Sequence, residues 1–155
     1  GCQSWTGLDF SEGMLEVARA KYPQTNWKVH DVRQPLPQPS ASLDLVLVSL
    51  VLEHIHDLRA LHQELARVVR PGGQIWVLEM HPYMALRGTG AHFVQGGQEI
   101  RLTTVPHQVS DLLGAGLKSG LSLLDIQEFS AQHPKAQAKW QQAPYLVVIE
   151  WQRAL

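Results

Sequence analysis

A chain of 155 residues with 45% apolar and 17% charged side chains has enough material for one domain with a real core and is too apolar to stay disordered. Its 13 basic and 14 acidic side chains leave a formal net charge of -1 and form no Lys/Arg run, so the sequence lacks the electrostatic footprint of a nucleic-acid or anionic-membrane binder. A single cysteine, Cys2, excludes an internal disulfide and fits a cytoplasmic location. The longest apolar stretch, residues 43–55, is broken by Asp44, Glu53 and His54 and is too short for a membrane span; no signal peptide is read either.

Residues 4–9 (SWTGLD) read as a short strand ending in an acid. Ser11 is placed to cap a helix whose Met14, Leu15, Val17, Ala18 and Tyr22 recur at helical spacing, and Pro23 closes it. Residues 25–30 (TNWKVH) form a second strand candidate running into Asp31, followed by a Pro/Ser-rich loop at 33–42. Residues 43–50 (LDLVLVSL) are almost continuously apolar, the pattern of a strand covered on both faces. Asp57 then opens a helix with the stripe Leu58, Leu61, Leu65, Val68 and Val69, stopped by Arg70-Pro71-Gly72-Gly73. Residues 74–80 (QIWVLEM) are the next strand, and the glycine-containing stretch 81–106 reads as an insert, a long loop with room for a short hairpin. A helix at 109–119 and two strands at 121–129 and 145–151 follow; the last two are expected to pair antiparallel, because their connection through Pro134 and Pro144 holds no helix. The whole reads as a single α/β domain with a mostly parallel sheet and an antiparallel strand pair at its C-terminal edge.

Ligands of open α/β sheets bind beyond the carboxyl ends of the strands. Those ends carry Asp9-Phe10, His30-Asp31-Val32, Ser49-Leu50 and Glu79-Met80-His81. Asp9 is either a ribose ligand, its carboxylate accepting from two hydroxyls, or a turn and helix-start acid. Asp31 is either a reader of an exocyclic amine or a turn acid.

Taken in order, GLDFSEGMLEVARAKYP, KVHDV, LDLVLVSLVLEHIHD and LARVVRPGGQIWVLE resemble the class I S-adenosylmethionine-dependent methyltransferases, in particular their small-molecule (type 11-like) branch. The resemblance runs from about Trp5 to Glu79 and implies the Rossmann-like methyltransferase fold, S-adenosylmethionine as cofactor and a small-molecule methyl acceptor. It further implies that Asp9 holds the ribose, Phe10 and Met14 flank the adenine, Asp31 and Val32 read its amino edge, and Ser49 lies near the methionine portion. Asp44 and the RPGG turn are structural in this reading, the glycines allowing a positive φ. One departure stands out: the family's first strand and the glycine-rich GxGxG turn after it have no counterpart here, and Gly1-Cys2 read as the end of the helix that follows that turn. The chain is therefore expected to be an N-terminally truncated domain that is marginally stable and binds S-adenosylmethionine weakly. Its strands at 4–9 and 43–50 are expected to stand apart or to pair directly.

Glu53 and His54 are candidates for the catalytic base, or polar residues of a loop; His81 and His107 are candidates for the substrate pocket, or surface residues. Tyr83, Met84 and Phe93 form either a lid or ordinary loop packing. No metal site is expected, because His54, His56 and His62 lack a ligand pattern. Two rival functions remain: an NAD-type nucleotide-binding oxidoreductase, since Asp9 suits that ribose too, and a non-catalytic remnant of the same fold acting as a partner-binding module.

Overall fold

The computed structural model describes residues 4–88, 92–130 and 143–155. The expected helix end at Gly1-Cys2, the connection through Pro134, Trp140 and the side chain of Phe93 lie outside the described residues. The chain divides into two compact units, Gly1–Pro37 and Gln38–Leu155.

The first unit is a strand–helix–strand motif: β1 (Thr6–Asp9), α1 (Glu12–Lys21) and β2 (Asn26–Val29). Ser11 caps α1 as its spacing predicts, its side chain accepting from the Met14 amide at 3.4 Å. Glu12 in the first turn and Arg19 and Lys21 in the last complement the helix dipole. The strands pair in parallel, with Gly7 beside Trp27 and Asp9 beside Val29. Gly7 is required by that register: a Cβ there would lie 2.0 Å from the Trp27 ring, so the indole covers the glycine. Its Nε1 is fixed by donating to the Tyr22 carbonyl at 3.0 Å. Among the described residues, β1 is paired on one side only, by β2.

The second unit contains β3 (Leu43–Ser49), a 3-10 turn at Leu52–His54, α2 (Leu58–Val68) and β4 (Val69–Met80). Then come α3 (Pro82–Leu86), a hairpin of β5 (His92–Gln95) and β6 (Gln98–Arg101), α4 (Val109–Lys118), β7 (Leu121–Ser130) and β8 (Pro144–Arg153). The sheet order is β3-β4-β8-β7; β3 and β4 are parallel and β8 runs antiparallel to both β4 and β7. Three of these four strands therefore point one way. β8 is inserted between β4 and β7 rather than added at the edge, and burial explains why. Val147, Ile149 and Trp151 are 0–1% exposed, as are Ile75 and Val77 beside them, whereas β7 is buried only at Leu121 and leaves Leu123, Leu124 and Phe129 exposed among its polar residues. The strand with the buried apolar face lies inside the sheet, and the exposed one at its edge.

This buried face is covered by α2 and α4. The α2 residues Leu58, Leu61, Leu65 and Val68 are buried as the stripe predicts, and His62 joins them at 1% exposure. His62 meets Trp151 edge-on with ring centroids 6.4 Å apart, and its Nδ1 donates to the Leu58 carbonyl at 2.7 Å. From the other helix, Gly116 lets α4 lie directly on Trp151: a Cβ there would come within 2.5 Å of the ring. Each aliphatic side chain buried in this way contributes ~1.5–3 kcal/mol.

Two regions differ from expectation. Arg70 to Gly73 do not separate helix from strand but form a bulge within β4, the register stepping from Leu43↔Val69 to Leu45↔Gln74. Its glycines serve different ends. Gly72 takes a φ of 77°, whereas Gly73 is needed for space, since a Cβ there would lie 2.9 Å from the Asp44 carbonyl oxygen. The insert at 81–106 is not mainly loop: α3 and the β5–β6 hairpin occupy much of it.

Candidate active site

In the first unit, the β1–β2 register carries the chain past Asp9 and Val29 at one end of the ladder. The His30 amide donates to the Asp9 carbonyl at 2.9 Å, so Asp9 and Asp31 emerge at the same end of the parallel pair. Asp9 Oδ1 accepts from the Ser11 amide at 2.8 Å, and Oδ2 has no partner among the described residues. Asp31 is instead engaged. Both of its oxygens bind the Arg33 guanidinium, at 2.7–3.0 Å, and Oδ1 also accepts the Arg33 amide. Arg33 thereby holds this carboxyl at about 2, below its ordinary 3.8. Phe10 and Met14 are 72% and 60% exposed, large apolar surfaces beside Asp9 in sequence, and Val32 is half-buried.

In the second unit, β3 ends at Ser49, which is exposed, and the chain turns through Leu50 at φ 54°. That left-handed conformation costs a non-glycine residue ~1–2 kcal/mol. Two sets of bonds hold it: the Leu50 amide donates to the Leu78 carbonyl at 2.9 Å, and Glu79 Oε1 accepts the amides of Val51 and Leu52 at 2.7 and 2.8 Å. Glu79 is 3% exposed at the tip of β4. Burial pushes its carboxyl up to about 7, against the opposing pull of those two amides, and the nearby Glu53 raises it further.

This clamped turn forms one wall of a cavity of about 300 Å³. Leu50, Met84, Val105 and Tyr145 supply apolar surface, and Glu53, Glu79, His81 and His107 also reach it. The segment before α4 is tied to the 3-10 turn: the Val105 amide donates to the Glu53 carbonyl at 2.7 Å, and His107 Nε2 donates to the Ile55 carbonyl at 2.7 Å. His81 caps α3 with Nδ1 accepting the Tyr83 amide at 3.0 Å, while Nε2 lies 2.8 Å from Glu128. His54 is outside the lining. Its Nδ1 faces the Thr103 carbonyl at 3.4 Å and its Nε2 faces Glu53 at 3.7 Å. Met84 is buried and Tyr83 half-buried. Among the described residues no group of three His, Cys, Asp or Glu could hold a metal ion, and no helix is long and apolar enough to cross a membrane.

Glu79 was named at a strand end from the sequence but given no role there. Its signal was present in the alternation Ile75, Val77, Glu79, which puts an acid on the buried face of the strand.

An α/β core with carboxylates at the ends of parallel strands defines the class, a nucleotide-type binding fold. The methyltransferase-domain family model matches residues 1–77. An uncharacterized methyltransferase of Emericella nidulans is 31% identical over 139 residues, covering 77% of this chain and 48% of its own length. A probable S-adenosylmethionine-dependent methyltransferase of Mycolicibacterium smegmatis is 30% identical over 153 residues, covering 86% and 57%. The chain thus spans about half the length of these curated relatives. An S-adenosylmethionine-dependent methyltransferase from Mesorhizobium loti superposes with a TM-score of 0.79 over 99% of this chain and 82% of that one; at 22% identity this speaks to the fold, which is Rossmann-like. The chain belongs to the class I S-adenosylmethionine-dependent methyltransferases. The family's cofactor is S-adenosylmethionine. The residues present fit its adenosine half: a carboxylate oxygen left unbonded at Asp9, with exposed apolar side chains at Phe10 and Met14.

Proposed function

We propose that the protein containing this chain transfers a methyl group from S-adenosylmethionine to a small-molecule acceptor. The observation that carries this reading is the β1–β2 register, which brings Asp9 and Asp31 out at one end of a parallel strand pair. Asp9 would hold the ribose through its two hydroxyls, Phe10 and Met14 would flank the adenine, and Asp31 and Val32 would read its amino edge, with Arg33 yielding its bonds to Asp31. Ser49, at the end of β3, is assigned to the methionine portion. When bound, S-adenosylmethionine supplies the electrophile, a sulfonium methyl whose bonding pair stays on sulfur. The protein's own part is to position the acceptor and exclude water. A cavity of about 300 Å³ with mostly apolar walls supports a small acceptor over a macromolecular one.

Calorimetric titration of the complete gene product with S-adenosylmethionine and with NAD tests the assignment. Saturable binding of the first and none of the second is expected, with Asp9→Ala weakening it at least tenfold. At a hundredfold excess over Kd the ligand should add ~2.7 kcal/mol to unfolding stability. Preferential binding of NAD would make the protein an oxidoreductase; binding of neither would leave it a non-catalytic module.

A further inference from the structure

We propose that His107 is the base that takes the acceptor's proton, through Nδ1, and that the cavity selects an uncharged apolar acceptor bearing a hydroxyl. The inference rests on the methyl-transfer reading and names the substrate class and the proton acceptor within it.

The bonding around the cavity decides which imidazole is available. Glu79 Oε1 is committed to the amides of Val51 and Leu52 and holds the turn. His81 has both ring nitrogens engaged, Nδ1 by the Tyr83 amide and Nε2 by Glu128. His92 also reaches the wall and is not free. His54 points to the Thr103 carbonyl and to Glu53 and is no part of the lining. His107 differs from the other three histidines. Its Nε2 lies 2.7 Å from the Ile55 carbonyl, an obligate acceptor, so Nε2 carries the hydrogen. In the neutral ring Nδ1 then holds a lone pair, and among the described residues nothing binds it. The carbonyl is on the peptide after the 3-10 turn, so the same bond fixes both the tautomer and the ring's position.

The walls define what can bring a proton there. Apolar side chains dominate, two carboxylates contribute, and no Lys or Arg is among the described lining residues. A carboxylate or phosphate acceptor would enter with no Lys or Arg to meet it and the Glu53 carboxylate to repel it. A protonated amine has no lone pair to offer as nucleophile. An uncharged hydroxyl fits both constraints. Its proton passes to His107 Nδ1, the O–H pair stays on the oxygen as the nucleophilic pair, and the imidazolium returns the proton to solvent afterwards.

The test uses chain labelled with 15N-histidine in mildly alkaline buffer, with phenol, anisole and benzoate as probes. The His107 resonances, assigned with His107→Gln, are expected to show Nε2 protonated and Nδ1 bare. Phenol should bind and shift Nδ1; anisole, which has no O–H, should bind without that shift; benzoate should bind at least tenfold more weakly than phenol. In His107→Gln the amide still donates to Ile55 but offers no basic nitrogen, so phenol affinity should fall to that of anisole. A protonated Nδ1, a phenol complex that leaves Nδ1 unmoved, absence of phenol binding or tighter binding of benzoate would each overturn the proposal. These readouts need no S-adenosylmethionine. They stand apart from the calorimetry, which alone decides the methyl-transfer reading. If the Gln variant does not fold, the wild-type shifts still decide.

Discussion

Glu79 shows how one buried acid links stability to the shape of the site. Its folded-state value of about 7 exceeds the ordinary 4.5, so the folded protein holds this proton more tightly than the unfolded chain. The stabilisation is complete below pH 4.5 and is lost as the pH rises through 7. At ~1.4 kcal/mol per unit, the ionised carboxylate costs the fold roughly 3 kcal/mol above that window. His62 acts in the opposite sense. Burial lowers its value below 6.5, so its contribution is present above that pH and is lost as acid protonates the unfolded chain. Comparing wild type with Glu79→Gln cancels the histidine. The glutamine oxygen can still accept the two amides without a charge. Urea unfolding should therefore show the variant at least as stable as wild type at pH 8 and relatively less stable at pH 5. A constant difference between the two across that range would remove the assignment.

Helix α4 and the bulge in β4 show how elements are seated by missing side chains. Gly114 and Gly116 lie in the same helix, yet an added Cβ meets nothing within 4 Å at Gly114 and lies 2.5 Å from the Trp151 ring at Gly116. Gly114→Ala should stabilise by ~0.5–1 kcal/mol through helix propensity. Gly116→Ala should instead destabilise by ~1–3 kcal/mol through overpacking, despite the same gain in propensity. Thermal unfolding of the two single variants reads the difference, and a stabilised Gly116→Ala would contradict the packing of α4 on Trp151. Helical spacing from Leu112 puts Gly116 on the buried face and Gly114 off it, but only the indole on the facing strand sets how little room Gly116 has. The element boundaries were more legible. Ser11 and Asp57 cap their helices as their spacing predicts, because a cap depends only on neighbours three residues away. The Arg70–Gly73 bulge was read as a turn because its register is set by β3, 26 residues earlier at the Arg70–Asp44 contact.

At the scale of the molecule, strand order governs which substitutions are tolerated. Among the described residues, β8 is paired on both sides and β7 on one. Ile149→Asp should cost at least ~4 kcal/mol by placing a charge on the buried face, while Gln127→Lys on the edge should stay within ~0.5 kcal/mol. Equilibrium denaturation of both variants checks this, and equal losses would mean the order is wrong. The sequence alone determined the succession of strands and helices, the α/β class, the family motifs and the acids at the strand ends, because all of these follow from periodicity and from residues adjacent in the chain. Only the tertiary structure decided that β8 lies inside the sheet, that Glu79 clamps the turn after β3, and that His107 lines the cavity with its Nε2 on the Ile55 carbonyl. Those outcomes depend on groups far apart in the chain meeting within hydrogen-bond reach, as His107 and Ile55 do across 52 residues and as β4 and β8 do in pairing Gln74 with Gln152. Such pairings are selected by which buried polar groups must be satisfied once the core has closed, and no local pattern in the chain encodes that.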